Sequence, residues 1–384
     1  MTSTFELTPP QPRQPRYRYA LVDMATGRQV AEHIPARVST FERLLGDAGT
    51  ADAVVQLRDP RVRRLDVMGA TVPARTELWI YRDSVPVYDG MVLSRRYDGG
   101  SGALTIRTAE TARSWLARRL LRPLGGPGSQ RHLSFSQTDQ FDIFRALVDD
   151  AQAQGDLRID ATPDQYSGVE RDRHRTDDGE NSAYNGFEFA DYLTRLDQLA
   201  DLVNGFEWRV DPYIDANREP RRRLVLGFPY LGAEPGPDTV TLEYPGEIAS
   251  FTWDEDGAET ATYVAALGAG EEEEMRWSEA VDTEALGFGW PLLETTVSHK
   301  SASDPATLRG HAGAALARVR GNVTIPEVTV VGRPPVEPGS WVRLRIRDTA
   351  LFGERPHNEL VRVVGIKTTP EPTETTTLQV EGAR

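Results

Sequence analysis

Residues 264–277, VAALGAGEEEEMRW, set a small-residue turn between an apolar run and four consecutive glutamates at 271–274. Such a turn could cradle a phosphate with backbone amides, and carboxylates could hold calcium or magnesium. Neither pattern is complete. The third glycine of a dinucleotide fingerprint would fall where Glu273 stands, and no Gly-Lys-Ser/Thr follows a glycine-rich turn. Four carboxylates at the turn would also repel a phosphate. Calcium loops draw their ligands from alternating positions together with carbonyls, whereas an unbroken acidic block is the mark of a solvated loop. The stretch is therefore read as a loop, and neither a cofactor nor a metal is expected.

The other chemistry-bearing residues point the same way. Cysteine is absent, which removes disulfides, thiolate metal sites and a cysteine nucleophile. The histidines, His33, His132, His174, His299, His311 and His357, show no i, i+4 pair flanking a glutamate as zinc hydrolases require. No G-x-S-x-G elbow is present for a serine nucleophile. Paired carboxylates occur at Asp149–Asp150 and Asp177–Asp178, the first at a helix end and the second in a polar loop. Both pairs are read as solvated surface, so no catalytic residue is assigned. Trp115, Trp208 and Trp341 lie within elements and are read as core anchors.

Length and charge bound the function further. A chain of 384 residues has room for two or three domains. The net charge of -14 argues against binding nucleic acid through its phosphates. No apolar run approaches the roughly 18 residues needed to cross a bilayer. Of the 44 basic residues only Lys300 and Lys367 are lysine, a bias expected from a GC-rich genome.

The elements that must position these residues follow from periodicity. Residues 1–16 carry Pro9, Pro10, Pro12 and Pro15 and form a flexible arm. Residues 17–120 give short strands with glycine-rich turns, then a helix at about 109–121, and suggest an antiparallel meander or small β-barrel. Residues 121–245 are mixed α+β. One helix buries Phe141, Phe144, Leu147, Val148 and Ala151. A second carries Phe189, Tyr192, Leu193, Leu196, Leu199, Ala200 and Val203 and stops at Asn204–Gly205, before a hairpin of 206–210 and 221–229. Residues 246–384 return to β-structure, interrupted by a helix that Asp304 caps, Pro305 begins and Gly321 ends. The alternation of WVRLRIR at 341–347 marks a half-buried strand.

Taken in order, these stretches resemble the minor tail proteins of siphophages that infect actinobacteria. The resemblance rests on strand, RD turn, V-x-x-G-x-V strand, turn, strand and a helix ending ARRLL, within residues 17–121. FADYLTRLDQLADLVNGFEWRVDP, YVAALGAGEEEE, and VEPGSWVRLRI with ELVRVVGIKTTPEPTETTTLQVEG extend it to Gly382. Ser340 stands where an aspartate is more usual. The resemblance implies a tail-hub fold: two pseudo-equivalent β-barrels, a middle domain, and an insertion at about 269–322, with 264–268 a strand of the second barrel. It also implies a homotrimer at the tail tip, placing six barrels against the tail tube beside the distal tail protein and other minor tail proteins. Its implied function is that of a structural virion protein joining tube to tip. The competing readings are a cell-wall hydrolase using paired carboxylates and a receptor- or carbohydrate-binding tail protein.

Overall fold

The computed structural model describes residues 14–382 apart from 126–128, 154, 163–164, 175–181, 271, 300–301, 303, 321–322 and 325. Most of the arm, the pair Asp177–Asp178, Glu271 and Gly321 thus lie outside the described residues.

Strand Tyr17–Asp23 pairs antiparallel with Thr76–Arg82. From there the ladder continues through Val85–Asp98, Ala103–Glu110 and Thr50–Gln56 to Ala36–Leu44. Because side chains alternate across a strand, Leu21, Val38, Phe41, Leu78, Ile80 and Ile106 converge on one core. The V-x-x-G-x-V motif has a steric reason: a Cβ on Gly90 would come within 2.4 Å of the Tyr88 hydroxyl.

The edge of this unit does not fold back on itself. Ala36–Leu44 pairs instead with His357–Thr369, in the register Phe41↔Thr368 to Leu44↔Gly365. The same strand pairs with Trp341–Ile346 and Thr375–Gly382 and so carries the ladder into the C-terminal unit. Both β-units therefore share one thirteen-stranded sheet, antiparallel but for Val240–Tyr244 beside Trp341–Ile346. Its path ends openly at Gln29–Ala31 and Ile248–Thr252, so no closed barrel is found among the described residues. The expected barrels are thus replaced by one continuous open sheet.

Between the two lies an α+β unit. Helices Gln140–Gln152 and Tyr192–Ala200 pack with hairpin Glu207–Ile214/Pro220–Gly227 around Phe141, Phe144, Leu147, Leu196, Phe206 and Trp208. The Phe144 ring lies 5.4 Å from Phe206 and 5.1 Å from Trp208. The second helix ends at Ala200, before the Asn204–Gly205 stop expected from sequence; that pair forms the turn after it, with Asn204 at φ +56° and a Cβ on Gly205 falling 1.8 Å from the Ala200 carbonyl oxygen.

Helix boundaries differ from the sequence reading where tertiary bonds compete. The helix expected at 109–121 is Thr111–Leu116. Glu110 donates its amide to the Gly49 carbonyl and so prolongs the strand, and Ala112 and Leu116 join the middle core. Phe189, expected on the second helix, is exposed before it in a left-handed conformation, and Val203 is exposed after it. That helix starts at Tyr192, where Asp191 accepts the Thr194 amide.

Strand Tyr263–Leu267 is not part of the large sheet. It is the centre of a three-stranded sheet, antiparallel to Trp277–Val281 and parallel to Glu294–Ser298. The Gly268 amide reaches the Arg276 carbonyl at 2.6 Å, which joins Tyr263–Leu267 to its antiparallel neighbour locally. Helix Pro305–Val319, capped by Asp304, covers one face of this sheet, with Leu308 and Ala312 packed on Ala266.

Candidate functional site

Buried charges gather where the three units meet. Arg43, on Ala36–Leu44, is buried and reaches both neighbours. One nitrogen donates to Glu337 at 2.7 Å, and the other donates to Asp211 and to the Val210 carbonyl at 3.1 Å. One guanidinium thus touches the first, middle and C-terminal units. Arg209 flanks it, donating to Asp211 at 2.9 Å and to the Pro338 carbonyl at 2.8 Å. Burial works to raise the Asp211 carboxyl, but the Arg43 and Arg209 charges overcome it and hold the group below the usual range. At Glu110, buried in the same region, the nearby arginines do not overcome burial. Burial, opposed by Arg43 and reinforced by Asp89, pushes its carboxyl up to about 7.

Further pairs fasten the same boundaries. Arg362 grips Glu207 at 2.6 Å with its guanidinium 4.8 Å from the Tyr230 ring. Arg82 donates twice to Glu374, at 2.6 and 2.8 Å, and the Tyr17 hydroxyl donates to the same carboxylate. Arg222, on the middle hairpin, crosses into the first unit. Its Nε meets Asp89 at 2.8 Å, one Nη meets Glu77 at 2.6 Å, and the other meets the Leu157 carbonyl at 2.8 Å. Trp79 donates its indole N–H to the same Glu77 oxygen at 2.7 Å. Arg222 and Glu77 have fully buried side chains, and burial keeps the Glu77 carboxyl raised despite the arginine.

The sequence contained a signal for these arginines. Arg222 is in phase with Leu224 and Leu226, and Arg43 with Phe41, so alternation puts both on buried faces. The turn at Ser340 is also explained. Its hydroxyl accepts the Glu337 amide at 3.0 Å, the role an aspartate could fill, and this places Glu337 beside Arg43.

Of the carboxylates singled out by sequence, Asp149 is exposed, and burial of part of its surface raises its carboxyl. Asp150 is not the solvated surface group it was expected to be. It accepts from Arg131 and from the Tyr192 hydroxyl and ties the two middle helices together. Its helical position turns it inward, one residue beyond the exposed Asp149. Replacing Asp150 by alanine strands both donors and should lower stability by about 1–3 kcal/mol. An unchanged urea midpoint for Asp150→Ala would contradict this role. Among the described residues no three His, Asp or Glu side chains group to hold a metal ion.

The structure does bring His299 and His311 together. Their rings stack with centroids 3.8 Å apart and planes 11° from parallel. Burial, then the adjacent His299, lowers the His311 pKa. Twelve residues separate them in sequence, a spacing that no local pattern marks. They line a cleft between the insertion and the middle unit, facing Arg173, His174, Tyr184 and Arg195. The Arg318–Asp201 pair, at 3.5 Å, spans the cleft.

No protein-family model and no curated protein sequence matches the chain. Solved structures do match its fold, and tail proteins are among them. The chain is similar to the tail protein from Neisseria meningitidis MC58, with TM-score 0.59, 14% identity, and coverage of 95% of this chain and 96% of that one. It is similar also to the prophage MuSo2 43 kDa tail protein from Shewanella oneidensis, with TM-score 0.56, 12% identity, and coverage of 95% and 98%. The likeness is one of fold: a β-rich α+β architecture of the phage-tail kind, spanning nearly the whole of each chain.

Proposed function

We propose that this chain is a structural component of a phage tail tip, a hub that joins the tail tube to the tip as a homotrimer. The observation that carries this reading is the end-to-end fold likeness to two tail proteins of nearly the same extent. The charge clusters support it. Arg43, Arg82, Arg222 and Arg362 serve to lock units together, which is the demand on a load-bearing part rather than on a catalyst. We divide the chain into a β-unit to about 120, an α+β unit to about 245, and a second β-unit with an insertion. In a trimer the two open β-units of each chain would supply six similar faces, and rotation would close the ring through heterologous contacts. Neighbouring protomers would cover the free sheet edges. The siphophage and actinobacterial setting, the tail-tip location and the contacts with the distal tail protein belong to the same proposal.

Cryo-electron microscopy of particles carrying the tagged chain tests the reading. The expected result is three copies at the end of the tail tube. Any other count, or a position far from the tube's end, defeats the hub assignment.

A further inference from the structure

The cleft between the insertion and the middle unit has donors that the fold leaves unused. Arg173 Nε and Arg195 Nε are buried without a hydrogen-bond partner, and the Tyr184 hydroxyl lies against the Arg173 guanidinium. Tyr184 itself is only 5% exposed. A guanidinium N–H can only donate, so its burial without an acceptor is costly. Two such N–H groups in one cleft are not explained by the packing of the fold.

The charges around them are equally uneven. Among the described residues Glu188 and Asp201 are the acidic residues in the lining, and each is already engaged, by Arg195 and Arg318 respectively. Arg173 forms no ion pair among the described residues, although its charge bears on both Arg171 and Arg195. His299 and His311 add two imidazoles from the opposite wall. In a chain with a formal charge of -14, the described lining of this cleft is thus rich in cationic side chains.

We propose that this cleft binds a phosphate group. A tetrahedral oxyanion offers acceptors in several directions and so suits donors converging from two arginines, a tyrosine and the histidine wall. A small shift of the arginine side chains turns their unused N–H groups from the cleft floor to the ligand. The site is independent of the tail assignment, and each can fail without the other.

The test titrates the full chain with inorganic phosphate, and separately with glycerol 3-phosphate, against chloride at matched ionic strength. Calorimetry should show saturable binding of phosphate, and the thermal midpoint should rise with it but not with chloride. Arg173→Gln should weaken binding at least tenfold while keeping its melting temperature in chloride. Tyr184→Phe, which preserves the ring, should weaken it severalfold and serves if the arginine variant fails to fold. Equal affinity for both compounds identifies a free oxyanion, and tighter binding of the ester places the phosphate on an organic carrier. Phosphate binding no better than chloride, or unchanged in a folded Arg173→Gln or Tyr184→Phe, overturns the proposal.

Discussion

Replacing Arg222 by methionine should destabilise the protein by about 3–5 kcal/mol, because it leaves the buried carboxylates of Glu77 and Asp89 without their cation. The substitution keeps side-chain bulk, so the loss is electrostatic. Both carboxylates lie where the middle hairpin packs on the first unit, at 0% and 3% side-chain exposure. Denaturation followed by tryptophan emission reads the change, since Trp79 bonds to Glu77 and lies 5.4 Å from the guanidinium. Neutralising the partners as well, in Arg222→Met/Glu77→Gln/Asp89→Asn, should recover much of the loss, because no uncompensated charge then remains. If the single variant unfolds at the wild-type midpoint, the cluster does not hold these units together.

A second large effect concerns pH. The Glu110 carboxyl is raised from 4.5 to about 7 in the folded chain. Between those values the folded state binds more protons than the unfolded state, so stability falls as pH rises. The favourable contribution is complete below about 4.5 and gone above about 7. One pKa unit corresponds to about 1.4 kcal/mol, so the full swing is on the order of 3 kcal/mol. Glu110→Gln should match the wild type near pH 4 and be more stable by roughly that amount at pH 8. Parallel pH profiles for the two proteins would show that Glu110 does not titrate within the fold in this way.

How much of this was legible in the sequence depended on the range of each interaction. Phe141, Phe144, Leu147, Val148 and Ala151 recur at helical spacing and are all buried. The Asp304 cap is written within a few residues and is present, and Asn204–Gly205 marks a turn that lies just beyond the helix rather than its last residue. Phe189 was misassigned because its apolar side chain keeps helical phase while its backbone has already left the helix. The joining of the β-units was not legible at all. It rests on pairing between residues 41–44 and 365–368, more than 300 positions apart, and an edge strand that will be paired looks like one that will not. The buried arginines were half legible: alternation gives their phase, but only the assembled joint shows Asp89, Asp211 and Glu337 waiting for them. The His299–His311 stack needed the insertion's own folding, which brings a strand end against the middle of a helix.

Strand His357–Thr369 has a mechanical meaning. Its last turn of ladder, Gly365 to Thr368, is the stretch of backbone bonding through which the first unit holds the C-terminal one. A force along those strands loads the bonds together in shear, whereas a force across them would open the bonds one at a time. The Arg43–Glu337 and Arg82–Glu374 clamps bind the same two units and resist that peeling. The two units should therefore yield to tension as a single elastic body, stiff along the strands and compliant only where the clamps are cut.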